Sequence, residues 1–100
     1  MESDVYTLGV WRVTPGNQEK FILEWKGLGE YFGGLQNPPG PGTLVQSIQD
    51  DTLFYSFGPW RSLEDIQAMR ADPNTPGQIA RLAALCDEAT PGAYKVVART

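Results

Sequence analysis

Histidine is absent from this sequence, and cysteine occurs once, as Cys86. Without histidine the chain lacks the commonest metal ligand and the commonest general base near neutral pH. Ser-His-Asp and Cys-His nucleophilic arrangements are excluded as usually built. A zinc site would have to rest on one thiol and scattered carboxylates, an improbable donor set. The single cysteine has no internal disulfide partner, which suits a reducing compartment.

Concentrated positive charge is missing too. Eight Lys+Arg stand against twelve Asp+Glu, a net charge of −4 with no basic cluster. Binding to a phosphate backbone needs such a cluster, so no nucleic acid partner is expected. No apolar run approaches the ~20 residues of a membrane span. The N-terminal "MESDVYTLGV" lacks the basic region and apolar core of a signal peptide. These absences lead to the expectation of a cytoplasmic protein that engages no membrane. With 41% hydrophobic and 20% charged residues, the composition is that of one globular domain over residues 1–100.

What is present alternates between strand and helix patterns. "VYTLGVWRV", 5–13, is rich in β-branched and aromatic residues and reads as a strand. "TPGN", 14–17, is a turn in which Thr14 or Asn17 can cap the helix that follows. Phe21, Trp25, Leu28, Phe32 and Leu35 recur at spacings of four, three, four and three, one face of an α-helix. "QNPPGPG", 36–42, ends it, because proline lacks the donor a helix needs.

"TLVQSIQ", 43–49, and "TLFYSF", 52–57, are expected to form a hairpin about a tight Asp50-Asp51 turn, with Gly58-Pro59 ending the second strand. Ser62 opens a helix that runs to about Arg70, with Asp65 at the capping-box position. Thr75-Pro76-Gly77-Gln78 restarts it, Thr75 being the expected cap. "TPG", 90–92, is expected to break the chain before a last strand at 93–99. Thr-Pro-Gly thus occurs three times, and Pro and Gly punctuation suggests one turn reused.

The order β-α-β-β-α-β is that of a ferredoxin-like split βαβ fold: α+β, with a four-stranded antiparallel sheet and helices on one face. Strand residues alternate between faces. In the first strand Val5, Thr7, Gly9, Trp11 and Val13 share one face, and Tyr6, Leu8, Val10 and Arg12 the other. Both faces are largely apolar, yet helices can cover only one. A large exposed apolar face is rare on a monomer, so a homodimer closed through the sheet is expected.

Two stretches carry a resemblance to a known family. "VWRVTPGNQEKFILEW" resembles the strand, Pro-Gly turn and aromatic-led helix that open antibiotic biosynthesis monooxygenases. "LFYSFGPWRSLEDIQAMR" resembles their second signature, a strand leading to Trp-x-Ser-x-Glu/Asp, here Trp60, Ser62 and Glu64. The resemblance covers nearly the whole chain. It implies a dimeric α+β barrel with a cavity in each subunit between sheet and helices. Some members are cofactor-independent monooxygenases that oxidise anthrone-type aromatic polyketides to quinones. In those the deprotonated substrate reacts with dioxygen itself, and the protein supplies a dry, oriented pocket and polar groups around the anion. Relatives that degrade haem use an axial histidine, which this chain lacks. Several active members place asparagine four residues before the tryptophan; that position is Ser56 here.

The expected function is therefore cofactor-free oxidation of a small aromatic or polyketide-like compound, with a non-catalytic ligand-binding dimer of the same fold as the alternative. Trp60 and Ser56 are the candidate catalytic residues. Trp60 would either wall the pocket or plug the corner between sheet and helix. Tyr55, Arg12 and Tyr6 are the candidate substrate-binding residues. A phenol can hydrogen-bond the substrate, and a guanidinium can hold an enolate oxygen. The structural alternatives are that Tyr55 packs with Leu53 and Phe57 in the core and that Arg12 is solvated or interfacial. Trp11 and Trp25 fall on periodic apolar faces and read as core, and Cys86, on an apolar stripe, reads as a buried, inert thiol.

Overall fold

A computed structural model describes residues 3–100. In chain order the elements are β1 (Val5–Val13), α1 (Gln18–Gly33), β2 (Thr43–Gln46), β3 (Leu53–Trp60), α2 (Leu63–Ala71), α3 (Thr75–Ala83) and β4 (Cys86–Lys95). The strands make one antiparallel sheet in the order β2-β3-β1-β4. This is the α+β split βαβ arrangement expected, with the second helical region divided into α2 and α3.

The alternation of β1 decides which face is buried. Trp11 and Val13, with Phe54 from β3, meet Phe21 and Leu28 of α1 and Leu82 of α3 in the main core. Trp11, Phe21 and Phe54 stack in a tilted series, with ring centroids 5.5 and 5.2 Å apart. Burying such rings dominates the stabilisation of a small core, and their contacts add roughly 0.5–1.5 kcal/mol beyond area. A second cluster gathers Trp60, Ile66 and Met69 under α2.

The turn before α1 follows its chemistry. Pro15 and Gly16 sit between Thr14 and Asn17, whose N–H donates to Thr14 O at 2.9 Å. Gly16 has φ +96°, the positive value a type II turn requires at its third residue. Asn17 is the N-cap of α1 by position, but its side chain makes no cap bond. At α2 the expected cap is made, Asp65 N–H donating to Ser62 Oγ at 3.2 Å. The Asp65 carboxylate, 6% exposed, also accepts two bonds from Arg61 at 2.9 and 3.1 Å.

Four boundaries differ from the sequence expectation. Gly58-Pro59 does not end β3, which continues through Trp60. The β2 partner stops opposite Phe57, so beyond that point no strand claims the Pro59 edge; Gly40 N–H donates to Pro59 O instead. The hairpin turn is not a two-residue Asp50-Asp51 loop. The connection spans 47–52, with Ser47 Oγ accepting from Asp50 N–H and Asp50 Oδ1 accepting from Thr52 N–H and Oγ1–H. Thr75 is the first residue of α3 and not its cap, since Asn74 takes that place. Lastly, Thr90-Pro91-Gly92 does not break the chain but lies inside β4, an edge strand where the missing proline N–H is tolerated.

Candidate functional site

Between the inner face of the sheet and the helices lies a cavity of about 1030 Å³. That is at the upper end of the ~300–1,000 Å³ usual for small-molecule sites. Strand alternation builds its sheet wall: Thr7, Gly9 and Trp11 from β1, and Ser56, Gly58 and Trp60 from β3. Trp25, Leu28, Gly29, Phe32 and Gly33 of α1 form the opposite wall, and Pro39–Gly42 line one side. A Cβ added at Gly29 or Gly33 would meet no atom within 4 Å, so this helix leaves open space where side chains would otherwise fill it.

Thr75 closes one end. Its hydroxyl donates to Met69 O at 2.6 Å, so the 2.8 Å contact with Tyr31 must be donated by the tyrosine. One hydroxyl thereby ties α1, α2 and α3 together.

The polar groups of the sheet wall are two hydroxyls, each paired with an indole. Trp11 Nε1–H donates to Ser56 Oγ at 2.9 Å, and Trp60 Nε1–H donates to Thr7 Oγ1 at 3.0 Å. An indole nitrogen can only donate, so both hydroxyls are acceptors in these bonds and keep their own protons. Ser56 is 9% exposed, and Trp11 and Trp60 are 2% and 1% exposed. The wall carries no titratable side chain. Lys26, Glu30 and Arg70 are the charged residues on the cavity lining, and all three are exposed. An occupant would therefore meet apolar surface with a few fixed donors, where each hydrogen bond counts for more than in water.

Trp60 is both pocket wall and packing element. It stands edge-on to Phe32, 5.4 Å between centroids, and packs with Ile66 and Met69. Its backbone carbonyl accepts from Ser3 Oγ. Of the five residues singled out from sequence, the structure brings Trp60 and Ser56 together at the cavity.

Tyr6, Arg12 and Tyr55 sit on the other face of the sheet and do not line the cavity. The physical reason is the two-residue period of the strand: neighbours of Trp11 and Ser56 necessarily point away from them. Arg12 is engaged near the C-terminal end of β1, Nη1 lying 3.3 Å from Asp50 Oδ2 with both side chains about half exposed. The Asp50 carboxyl is held below its usual value, chiefly by the Thr52 hydroxyl and N–H and further by Arg12. Tyr55 is 41% exposed and stands between Val10 and Val45 in register.

Two features escaped the sequence reading. Strand alternation puts Thr7 on the face it shares with Trp11, but nothing in its spacing marks it as a hydrogen-bonding partner. The glycines of α1 carried no signal in a hydrophobic periodicity. Cys86 is half-buried, its thiol donating to Leu82 O at 3.4 Å. Burial, and then the neighbouring Asp87 charge, push its pKa up. Among the described residues no three His, Cys, Asp or Glu side chains gather where a metal could be held, and no helix is long and apolar enough to cross a membrane.

No family profile matches this sequence, and no curated protein does. Solved structures do match its shape. SnoaB from Streptomyces nogalater is described as a cofactor-independent oxygenase. An asparagine-to-alanine variant of it superposes with a TM-score of 0.85 at 15% identity, covering 98% of this chain and 97% of that one. A Bordetella bronchiseptica protein provisionally named an antibiotic biosynthesis monooxygenase gives 0.79 at 12% identity, over 97% and 100% of the two chains. One from Deinococcus radiodurans with the same provisional name gives 0.78 at 12%, over 96% and 95%. The chain thus has, over nearly its whole length, the fold of proteins named antibiotic biosynthesis monooxygenases. At such identities this likeness concerns the fold, and the chemistry must be argued from the cavity.

Proposed function

We propose that this protein belongs to the antibiotic biosynthesis monooxygenase family and oxidises a small planar aromatic compound with dioxygen, using no bound cofactor. One observation carries the reading: Ser56 is fixed as an acceptor by Trp11, so its hydroxyl proton is free to face an apolar cavity. That arrangement stabilises negative charge developing on a substrate oxygen, at the position where active relatives are expected to carry asparagine. The similarity in shape to a named cofactor-independent oxygenase supports it.

For an anthrone-type substrate the balance is simple. A ring methylene loses a proton to give an enolate whose charge rests mainly on oxygen. With no titratable group on the sheet wall, that proton leaves to solvent on the side where the lining carries its exposed charged residues Lys26, Glu30 and Arg70. The electron-rich carbon reacts with dioxygen, the O–O bond breaks, and the methylene becomes a carbonyl. One oxygen atom enters the product and the other leaves as water. The substrate supplies all four electrons. Trp60 and Phe32 hold the ring system flat, in the orientation the reaction needs.

The same sheet supplies a dimer surface. Leu8, Val10, Val45, Tyr55, Phe57 and Tyr94 belong to strands whose outer face no helix covers, and Tyr94 is 51% exposed. A second copy packed there would give a homodimer, with Tyr6 and Arg12 at or beside the interface.

The absence of a base on the sheet wall favours a second reading, a binding protein of the same fold that only sequesters its ligand. Oxygen uptake by chelator-treated, flavin-free protein supplied with 9-anthrone separates the two. Uptake of one dioxygen per anthrone, above the spontaneous rate, is expected. Tight binding without uptake would leave only the sequestering role.

A further inference from the structure

We propose that Thr7 is a substrate-binding residue, and that Thr7 and Ser56 together clamp two neighbouring oxygens on one edge of a planar ligand. The inference rests on the reading of the cavity as the substrate site.

Thr7 pairs with Gly58, and Ser56 with Gly9, so the two hydroxyl residues are diagonal neighbours on the inner face. Diagonal neighbours stand about 7–8 Å apart along the backbone and somewhat less between their side chains. Each hydroxyl accepts from a buried indole and donates to no group among the described residues. Two donors that each reach ~2.8 Å to acceptors held ~2.7 Å apart can span up to about 8 Å, whereas two donors sharing one oxygen span less than about 6 Å. That suits a carbonyl and hydroxyl side by side on a fused ring system better than one lone oxygen. The Trp11 indole covers Gly9 and the Gly42 backbone packs over Gly58, so the floor is made of ring and backbone, while the bare helix at Gly29 and Gly33 keeps the roof clear. The space between is a slot for a flat molecule. Trp60 and Trp11 are positioning residues in this scheme. Each indole occupies a hydroxyl lone pair, and so directs the proton of Thr7 or Ser56 toward the ligand.

The test is a titration of the full chain with 1,8-dihydroxyanthraquinone, whose oxygens crowd one edge, and with anthracene, which has none. Thr7→Val should weaken the dihydroxyanthraquinone about tenfold and change anthracene less than twofold; Thr7→Ser, which keeps the hydroxyl, should bind both as the parent does. The ligand carbonyl stretch should also move to lower frequency on binding to the parent protein, a readout that needs no variant to fold. Equal affinity of parent and Thr7→Val for the dihydroxy probe, equal losses for both probes, or an unmoved carbonyl band would overturn the clamp. If the clamp fails while 9-anthrone still drives oxygen uptake, the oxygenase reading survives alone. If Thr7→Val loses the dihydroxy probe selectively but no uptake occurs, the clamp survives in a binding protein. A parent protein that binds neither probe overturns both.

Discussion

The indole of Trp11 lies across Gly9, so closely that a Cβ at residue 9 would stand 2.6 Å from Nε1. This is the same nitrogen that holds Ser56. Glycine in a strand interior ordinarily weakens it, so alanine would be favoured on propensity alone. Here Gly9→Ala must displace the indole, and overpacking of this kind costs roughly 1–3 kcal/mol. Urea denaturation should show that loss, and ligand affinity should fall with it. A Gly9→Ala protein as stable as its parent would mean that the indole is free to move.

Trp60 answers to two variants. It is buried, packs on Phe32 and Met69, and donates to Thr7. Trp60→Ala should cost about 3–5 kcal/mol. Trp60→Phe should keep the fold with a smaller loss while weakening a planar aromatic ligand several-fold, because it surrenders the indole bond as well as stacking area. Thermal melts beside ligand titrations distinguish these. Undiminished affinity in the phenylalanine variant would reduce Trp60 to a packing plug.

Light scattering at micromolar concentration should give twice the 11.0 kDa chain mass. Tyr55→Lys, on the exposed outer face, should shift that mass toward the single chain without altering the inner core. A parent protein that scatters as a monomer would contradict the dimer.

Acid stability should depend on Asp50. Its folded-state pKa lies below the ordinary 3.8, so its contribution is complete above that value and is lost as the pH falls through the folded pKa. Asp50→Asn should therefore be less stable than the parent at neutral pH, with a gap that narrows below about pH 4. A gap that stays constant into the acid range would show that the carboxylate charge contributes nothing.

How far the sequence discloses the molecule is clearest in its three Thr-Pro-Gly tripeptides. Thr14-Pro15-Gly16 is the expected turn, Thr75-Pro76-Gly77 begins α3, and Thr90-Pro91-Gly92 lies within β4. A proline φ near −65° is compatible with turn, first helical turn and edge strand alike, so the tertiary partners decide. The helix face running from Phe21 to Phe32 and the two faces of β1 were legible because burial follows a fixed period. Ser56 and Trp60 were legible through a family signature. The partnership of Trp11 with Ser56 was not, because it joins residues 45 positions apart. Trp11 read as core filler from its spacing, and it is buried as expected; its nitrogen supplies the rest. Tyr6, Arg12 and Tyr55 had suitable chemistry but the wrong parity to reach the cavity that Trp11 and Ser56 line.

If this cavity places an oxygen atom from dioxygen into an aromatic substrate without a cofactor, the product must carry that atom. Mass spectrometry of the product formed from 9-anthrone under ¹⁸O₂, with chelated and flavin-free protein, tests it most directly. The expected product is a quinone carrying one ¹⁸O atom, formed faster than in buffer and more slowly by Ser56→Ala. Unlabelled quinone, or labelled quinone formed no faster than without protein, would contradict it.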